Sequence, residues 1–182
     1  LESLFENSTL EKQQTYITIF LSFFSKKEWD EWATFVLIDT SVALPFQSCT
    51  KEQLKQLMFF MLNVVPNQTD EIQLSALRLC DDMIAEAGLS EIIYEEAVEF
   101  LQRLNFHKNN VSIDYLLYKT KNDLGLLSSS LEEKNHLFFE NEKVLSEIFL
   151  ENLKGATPWI FKVVNIRLLK DQITQGNISH VL

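Results

Sequence analysis

Turn-forming residues are scarce in this 182-residue chain, which holds only 4 Gly and 3 Pro. All-β folds and phosphate-binding α/β folds need many more residues that accept tight turns, so the scarcity excludes both and leaves helix as the economical reading. Cysteine is equally sparse. Cys49 and Cys80 are the only two, and Cys80 sits in an apolar helical pattern where a small thiol packs as core. Two free thiols are expected, which points to a reducing compartment. Basic residues are outnumbered, with 16 Lys and Arg against 26 Asp and Glu and a net charge of −10. Nucleic acids and anionic membrane surfaces both call for clustered cations, so neither is an expected partner. Long apolar runs are missing as well. The longest, Ile17 to Phe24 and Leu57 to Val65, fall far short of the ~20 residues that span a bilayer. No signal peptide is visible, and a chain opening at Leu1 reads as a piece of a longer polypeptide. An intracellular location, cytoplasmic or nuclear, is expected. The secreted alternative rests on four Asn-x-Ser/Thr sequons, at Asn7, Asn67, Asn110 and Asn177.

What is present is a core and a set of helix signals. Apolar residues make up 46% of the chain, 14 of them Phe, and charged residues 23%, a balance that suits a folded domain. Ser8-Thr9-Leu10-Glu11, Ser25-Lys26-Lys27-Glu28, Thr50-Lys51-Glu52-Gln53 and Ser130-Leu131-Glu132-Glu133 all read as capping boxes, in which a hydroxyl and an acid or amide exchange bonds with the first-turn backbone. Ser90 before Glu91, and Thr157 before Pro158, read as simpler starts. Pro45, Pro66, Gly88 and Gly155 read as stops. The expected helices cover residues 9–24, 26–38, 51–64, 70–87, 91–104, 113–124, 131–154 (with a break near Glu140-Asn141) and 158–172. A short turn at Leu1 to Phe5 precedes them. In the fourth helix, Ile72, Ala76, Leu79, Cys80, Met83, Ile84 and Ala87 share one face, while Glu71, Ser75, Arg78 and Asp82 run along the other, which is expected to meet water.

The starts also carry a period. Ser8, Thr50, Ser90 and Ser130 are separated by 42, 40 and 40 residues, and each opens a helix, a short link and a second helix. In this layout, over residues 8–172, the chain resembles armadillo- and HEAT-type helical repeats, whose hairpins stack because one pair cannot bury its apolar faces alone. No consensus side chains recur at fixed offsets, so the resemblance is one of layout. It implies an all-α fold of about eight helices arranged as four hairpins in a right-handed α-solenoid-like stack, within a single domain over 1–182. An irregular helical bundle is the alternative.

Catalytic patterns are incomplete. Glu133-Lys134-Asn135-His136 supplies one Glu-x-x-His, but His107 and His180 follow Leu104 and Asn177 instead of Glu, so no di-metal carboxylate site is expected. Asp81-Asp82 would need an acid at position 85, where Ala stands, to resemble the magnesium-diphosphate motif of terpenoid synthases; the pair reads as two solvated aspartates. Cys49, just before a helix start, is where a thiolate is favoured, yet no His is near in sequence. No Gly-rich phosphate loop, zinc-spaced Cys pair or dinucleotide fingerprint occurs. The expectation is a protein that is not an enzyme and takes no cofactor or metal.

Partner-binding candidates remain. Trp29 and Trp32, with Phe35 and Val36, form a stripe on the second helix that is either core or an anchor for a partner. Trp159 and Phe161 at the last helix invite the same two readings. Nine acids lie between Asp70 and Glu99, with Arg78 the only basic residue before Arg103. In a helical stack the second helix of each pair lines the concave face, which here offers Gln73, Arg78, Asp81, Asp82, Asp114, Lys119, Lys162 and Arg167. The expected function is a non-catalytic scaffold that holds a peptide or helix of another protein, in particular a Lys/Arg-rich one. The alternative is a secreted helical ligand, which calls for glycosylation and a Cys49–Cys80 bridge.

Overall fold

The computed structural model describes residues 5, 7–25, 29–86, 88–108, 110–127, 142–154 and 158–174. Among them stand eight α-helices and three short 3-10 turns, with no strand. We number the helices α1 (Leu10–Ser22), α2 (Glu31–Ser41), α3 (Lys51–Val64), α4 (Asp70–Ala85), α5 (Leu89–Arg103), α6 (Val111–Asp123), α7 (Glu142–Leu153) and α8 (Trp159–Thr174). The protein is all-α, as its composition implies. Its contacts divide it into two compact units, Leu1–His107 and Lys108–Leu182, and each is described by itself.

Local chemistry explains where the helices start. At α3 the capping box is complete, with Thr50 Oγ1 accepting from Gln53 N at 3.2 Å and Gln53 Oε1 accepting from Thr50 N at 2.8 Å. Other starts differ from the sequence reading. α1 begins behind Thr9, which makes no side-chain capping bond, so Ser8 is not its cap. α2 begins at Glu31 rather than residue 26, because Asp30 takes the capping role and accepts from Ala33 N at 2.7 Å. Trp29 therefore lies ahead of the helix. α5 begins one residue before Ser90, behind Gly88, whose φ of 78° is a left-handed turn that suits a residue without Cβ. The expected signals at Ser130, Gly155 and Thr157, the Glu133/His136 pair, Asn177 and His180 lie outside the described residues.

In unit 1 the two closest pairings skip one helix, α3 packing on α5 and α2 on α4; the consecutive pair α4 and α5 comes next, followed by α1 on α3. Polar bonds fix the directions. Gln53 Nε2 donates to Thr18 Oγ1 at 3.1 Å and Gln56 Nε2 to the Leu21 carbonyl at 3.0 Å, both across 35 residues. A constant offset of this kind means that α1 and α3 run parallel. Lys55 Nζ meets Glu96 Oε1 at 2.5 Å and Arg103 Nη1 donates to the Leu62 carbonyl at 3.2 Å, both 41 residues apart, so α3 and α5 are parallel too. α1 overhangs α3 at its N-terminal end, where Ser48 Oγ, again 35 residues on, donates to Gln13 Oε1 at 3.0 Å. Ring edges join the same row: Phe24 meets Phe60 at 4.5 Å and Phe20 at 5.4 Å, pairings worth about 1 kcal/mol beyond burial. The five helices of unit 1, packed in this order, are compatible with a helical stack.

In unit 2, α7 and α8 form a closely packed hairpin. α6 is tied to them by the Tyr115–Phe149 ring edge at 5.6 Å and by a buried polar cluster. Ser112 Oγ donates to Asn165 Oδ1 at 2.8 Å, and Asn165 Nδ2 donates to the Phe161 carbonyl at 2.7 Å. Asn152 Nδ2 lies 3.4 Å from both Ser112 Oγ and Asn165 Oδ1. One residue from each helix thus meets in a satisfied network, which fixes the register of the three. Asn110, the third sequon asparagine, is occupied as the α6 cap and accepts from Ser112 N at 2.8 Å.

Removing one member strands the others. Asn165→Ala is expected to cost about 2–3 kcal/mol and Ser112→Ala about 1 kcal/mol, with the double variant costing less than the sum because the two share a bond. Urea denaturation of the four proteins checks this.

Candidate functional site: interaction surfaces

α4 carries three of the expected partner-binding residues, and its setting decides what they can do. Of its 16 residues, 14 are buried, including Glu71, Gln73, Ser75, Arg78 and Asp81, which is only 2% exposed. The expectation of a solvated polar face here, with Asp81 and Asp82 in water, is corrected. Leu74 and Leu77 lie outside the apolar face read from the sequence and are fully buried, so the helix is enclosed rather than half-exposed. Spacing identifies which residues share a face and cannot say what that face meets. Several of the enclosed polar groups hold protein atoms, while Ser75 Oγ is buried without a hydrogen-bond partner among the described residues. Arg78 places Nε and Nη2 each 3.0 Å from Asp82 Oδ1. Gln73 donates to the Gln68 and Asn105 carbonyls at 3.0 and 3.3 Å and accepts from Asn105 N at 2.8 Å. Asp70 accepts from His107 N at 3.0 and 3.1 Å. Arg78 and Asp81 are thus structural in their surroundings, and Asp82 alone is partly reachable.

Exposure lies instead on the α1–α3–α5 row and on α2. Phe59 on α3 is 67% exposed. It sits within an apolar run that reads as core, but it shares a face with Glu52 and Asn63, seven residues before and four after, and that company was the available signal. On α5, Glu91, Glu95 and Glu99 recur every four residues and are all exposed, so the acids that face water are here and not on α4. Lys55 and Arg103 are each already paired within this surface, with Glu96 and Glu99. The hydrogen bond from Lys55 holds the Glu96 carboxyl below its ordinary range. The tryptophan stripe divides: Trp32 is 62% exposed with its ring tilted 6.1 Å from that of Phe35, Val36 is exposed, Phe35 is buried and Trp29 is half-buried.

In unit 2, Lys119 is half-buried with Nζ 3.4 Å from Asp123 Oδ2, and Asp114 is exposed. Lys162 and Arg167 are half-buried on α8, where Phe161 is core and Trp159 is exposed. Lys108 Nζ stands over the Phe161 ring at 5.7 Å.

Both thiols are unbridged, Cys80 buried and Cys49 half-buried. Desolvation pushes Cys49 up to about 11, and its Sγ sits 3.7 Å from the Pro45 carbonyl, so the expected thiolate-favouring position is in fact the reverse. No group of three or more metal-ligating side chains occurs among the described residues, and no helix there is long and apolar enough to cross a membrane. No protein-family model, no curated protein and no solved structure matches this chain.

Two outcomes follow from burial. Asp81→Lys is expected to destabilise the fold by about 3 kcal/mol or more, whereas Glu95→Lys changes it by no more than about 0.5 kcal/mol; thermal melts of the two variants check this. A thiol raised from 9.0 to about 11 is thiolate a hundredfold less often at pH 8, so alkylation of Cys49 in the folded chain runs roughly a hundredfold slower than in urea, measured by timed mass spectrometry.

Proposed function

We propose that this chain is a protein-interaction scaffold whose unit 1 is an α-solenoid-like stack of the armadillo or HEAT kind, holding a Lys/Arg-rich segment of a partner along the exposed face of α3 and α5. The reading rests on the parallel α1–α3–α5 row with its constant registers of 35 and 41 residues. Successive hairpins produce this arrangement because each returns the chain to the same end before the next begins. An up-and-down bundle also leaves alternate helices parallel, but it packs consecutive helices side by side and sets alternate ones diagonally apart, whereas here α3 packs on α5 and α2 on α4. The face supplies what a basic segment needs: Glu52, Glu91, Glu95 and Glu99 exposed, with Phe59 as an apolar contact beside them. The role proposed is non-catalytic and needs neither cofactor nor metal, nucleic acid nor membrane. An intracellular setting belongs to the same proposal, and the unbridged Cys49 and Cys80 favour it.

The test uses a fluorescein-labelled peptide of alternating Lys and Ala, about 20 residues long. Binding to the wild-type chain is expected to weaken with salt and to fall about tenfold in Glu95→Lys/Glu99→Lys, with Phe59→Ala adding a salt-independent loss. Anisotropy titrations measure all three. Equal affinity for wild type and the charge-reversed variant sinks the proposal.

A further inference from the structure

α8 is apolar on two opposite faces. Ile160, Phe161, Val164 and Leu168 are buried against the rest of unit 2. On the other side Trp159, Ile166 and Ile173 recur at intervals of seven residues and remain 48%, 54% and 51% exposed. Seven residues are two turns, so the three stack in one line, about 21 Å from end to end. Val163 and Leu169, half-buried, fill the intervals. An isolated exposed isoleucine is ordinary; three large side chains in register on one helix form a seam of the sort that a second helix covers. The buried residues of α8 lie on the opposite face.

Charge selects the occupant. The chain carries −10 overall, yet α8 holds three cations, Lys162, Arg167 and Lys170, against Asp171 alone. Lys162 and Lys170 flank the seam on its two sides, and no ion pair engages either among the described residues. A second copy of the same helix would bring like charges together across the seam, which costs affinity. We infer that the Trp159–Ile166–Ile173 face of α8 is a docking site for an amphipathic helix of another protein, with aliphatic residues at heptad spacing and Glu or Asp beside them. This surface and the opposite charge of its occupant are separate from the unit 1 proposal, and either can fail alone.

The probes are two synthetic helical peptides, about three heptads long, with Leu at positions a and d and either Glu or Lys at e and g. Each is titrated calorimetrically against the whole chain. The Glu peptide is expected to bind at least about tenfold tighter than the Lys peptide. Ile166→Ser/Ile173→Ser should abolish that binding, and Lys162→Glu/Lys170→Glu should reverse the preference, while Glu95→Lys/Glu99→Lys leaves it unchanged. The comparison of peptides on the wild-type chain requires no variant to fold. Equal binding of the two peptides overturns the inference, as does Glu-peptide binding that survives the paired serine substitutions or follows the unit 1 reversal. Sedimentation showing a dimer of the chain alone, dissolved by the same serine substitutions, assigns the seam to self-association and overturns it too.

Discussion

Enclosure of α4 is the constraint on which unit 1 depends. A helix with 14 of 16 residues buried loses about 1–3 kcal/mol for each polar group left unbonded, so most of those it carries have to find partners. Its first turns do so by holding other parts of the chain. Asp70 and Gln73, three residues apart and therefore on one side of the helix, take hold of the main chain at His107 and Asn105. The segment that leaves α5 is thereby tied to the start of α4, and α5 is held by its end as well as by its face. Thr69, which makes no capping bond of its own, donates to Glu31 Oε1 at 3.0 Å and ties the same end of α4 to the start of α2. Burial and helix placement are one problem here, met by a few side chains, with Ser75 Oγ left without a hydrogen-bond partner among the described residues.

Most of those side chains are neutral amides. Gln13 and Gln14 reach Ser48 in the link before α3, Gln53 and Gln56 reach α1, and Gln73 reaches the segment after α5. In unit 2, Asn152 and Asn165 play the corresponding part around Ser112. An amide offers donor and acceptor together and can stand in for a strand of backbone, as Gln73 does against Asn105. It also enters a low-dielectric setting without the several kcal/mol that a charge loses there. Bonds of this kind are little affected by salt, unlike the Lys55 and Arg103 ties that join α3 to α5 within the charged surface. The acids of α3 and α5 are left to the solvent side.

Helix number, helix type and most boundaries were legible in the residues, because caps and 3.6-residue spacing are local. Thr50–Gln53 behaves as its pattern reads. The shifted start of α2 is also local in origin, since the Asp30 side chain caps the helix that begins at Glu31. Of the four starts read at intervals of about forty residues, only Thr50 caps a helix as expected: α1 starts behind Thr9, α5 behind Gly88, and Ser130 lies outside the described residues. What the residues did not reveal is which faces meet water. Arg78 and Asp81 sit on a stripe that reads as solvated and is enclosed, while Phe59, in a run that reads as core, is the most exposed large apolar side chain described. Periodicity sorts residues into faces, and only tertiary packing assigns each face its surroundings.

The same distinction bears on function. Where packing contradicts patterning in the stabilising direction, as on α4, the polar residues are absorbed into the fold and are poor places to seek a partner, however suggestive their charges. Contradiction in the other direction is different. Apolar side chains left in water cost the isolated protein solubility and return nothing to its core, so they persist more readily where another surface covers them. Phe59 among acids, and the α8 seam beside lysines, are both of this second kind, and they differ in the sign of the charge around them. On the two proposals made above, cations beside one apolar line and acids beside another exposed aromatic would let each surface reject a segment that carries its own sign of charge.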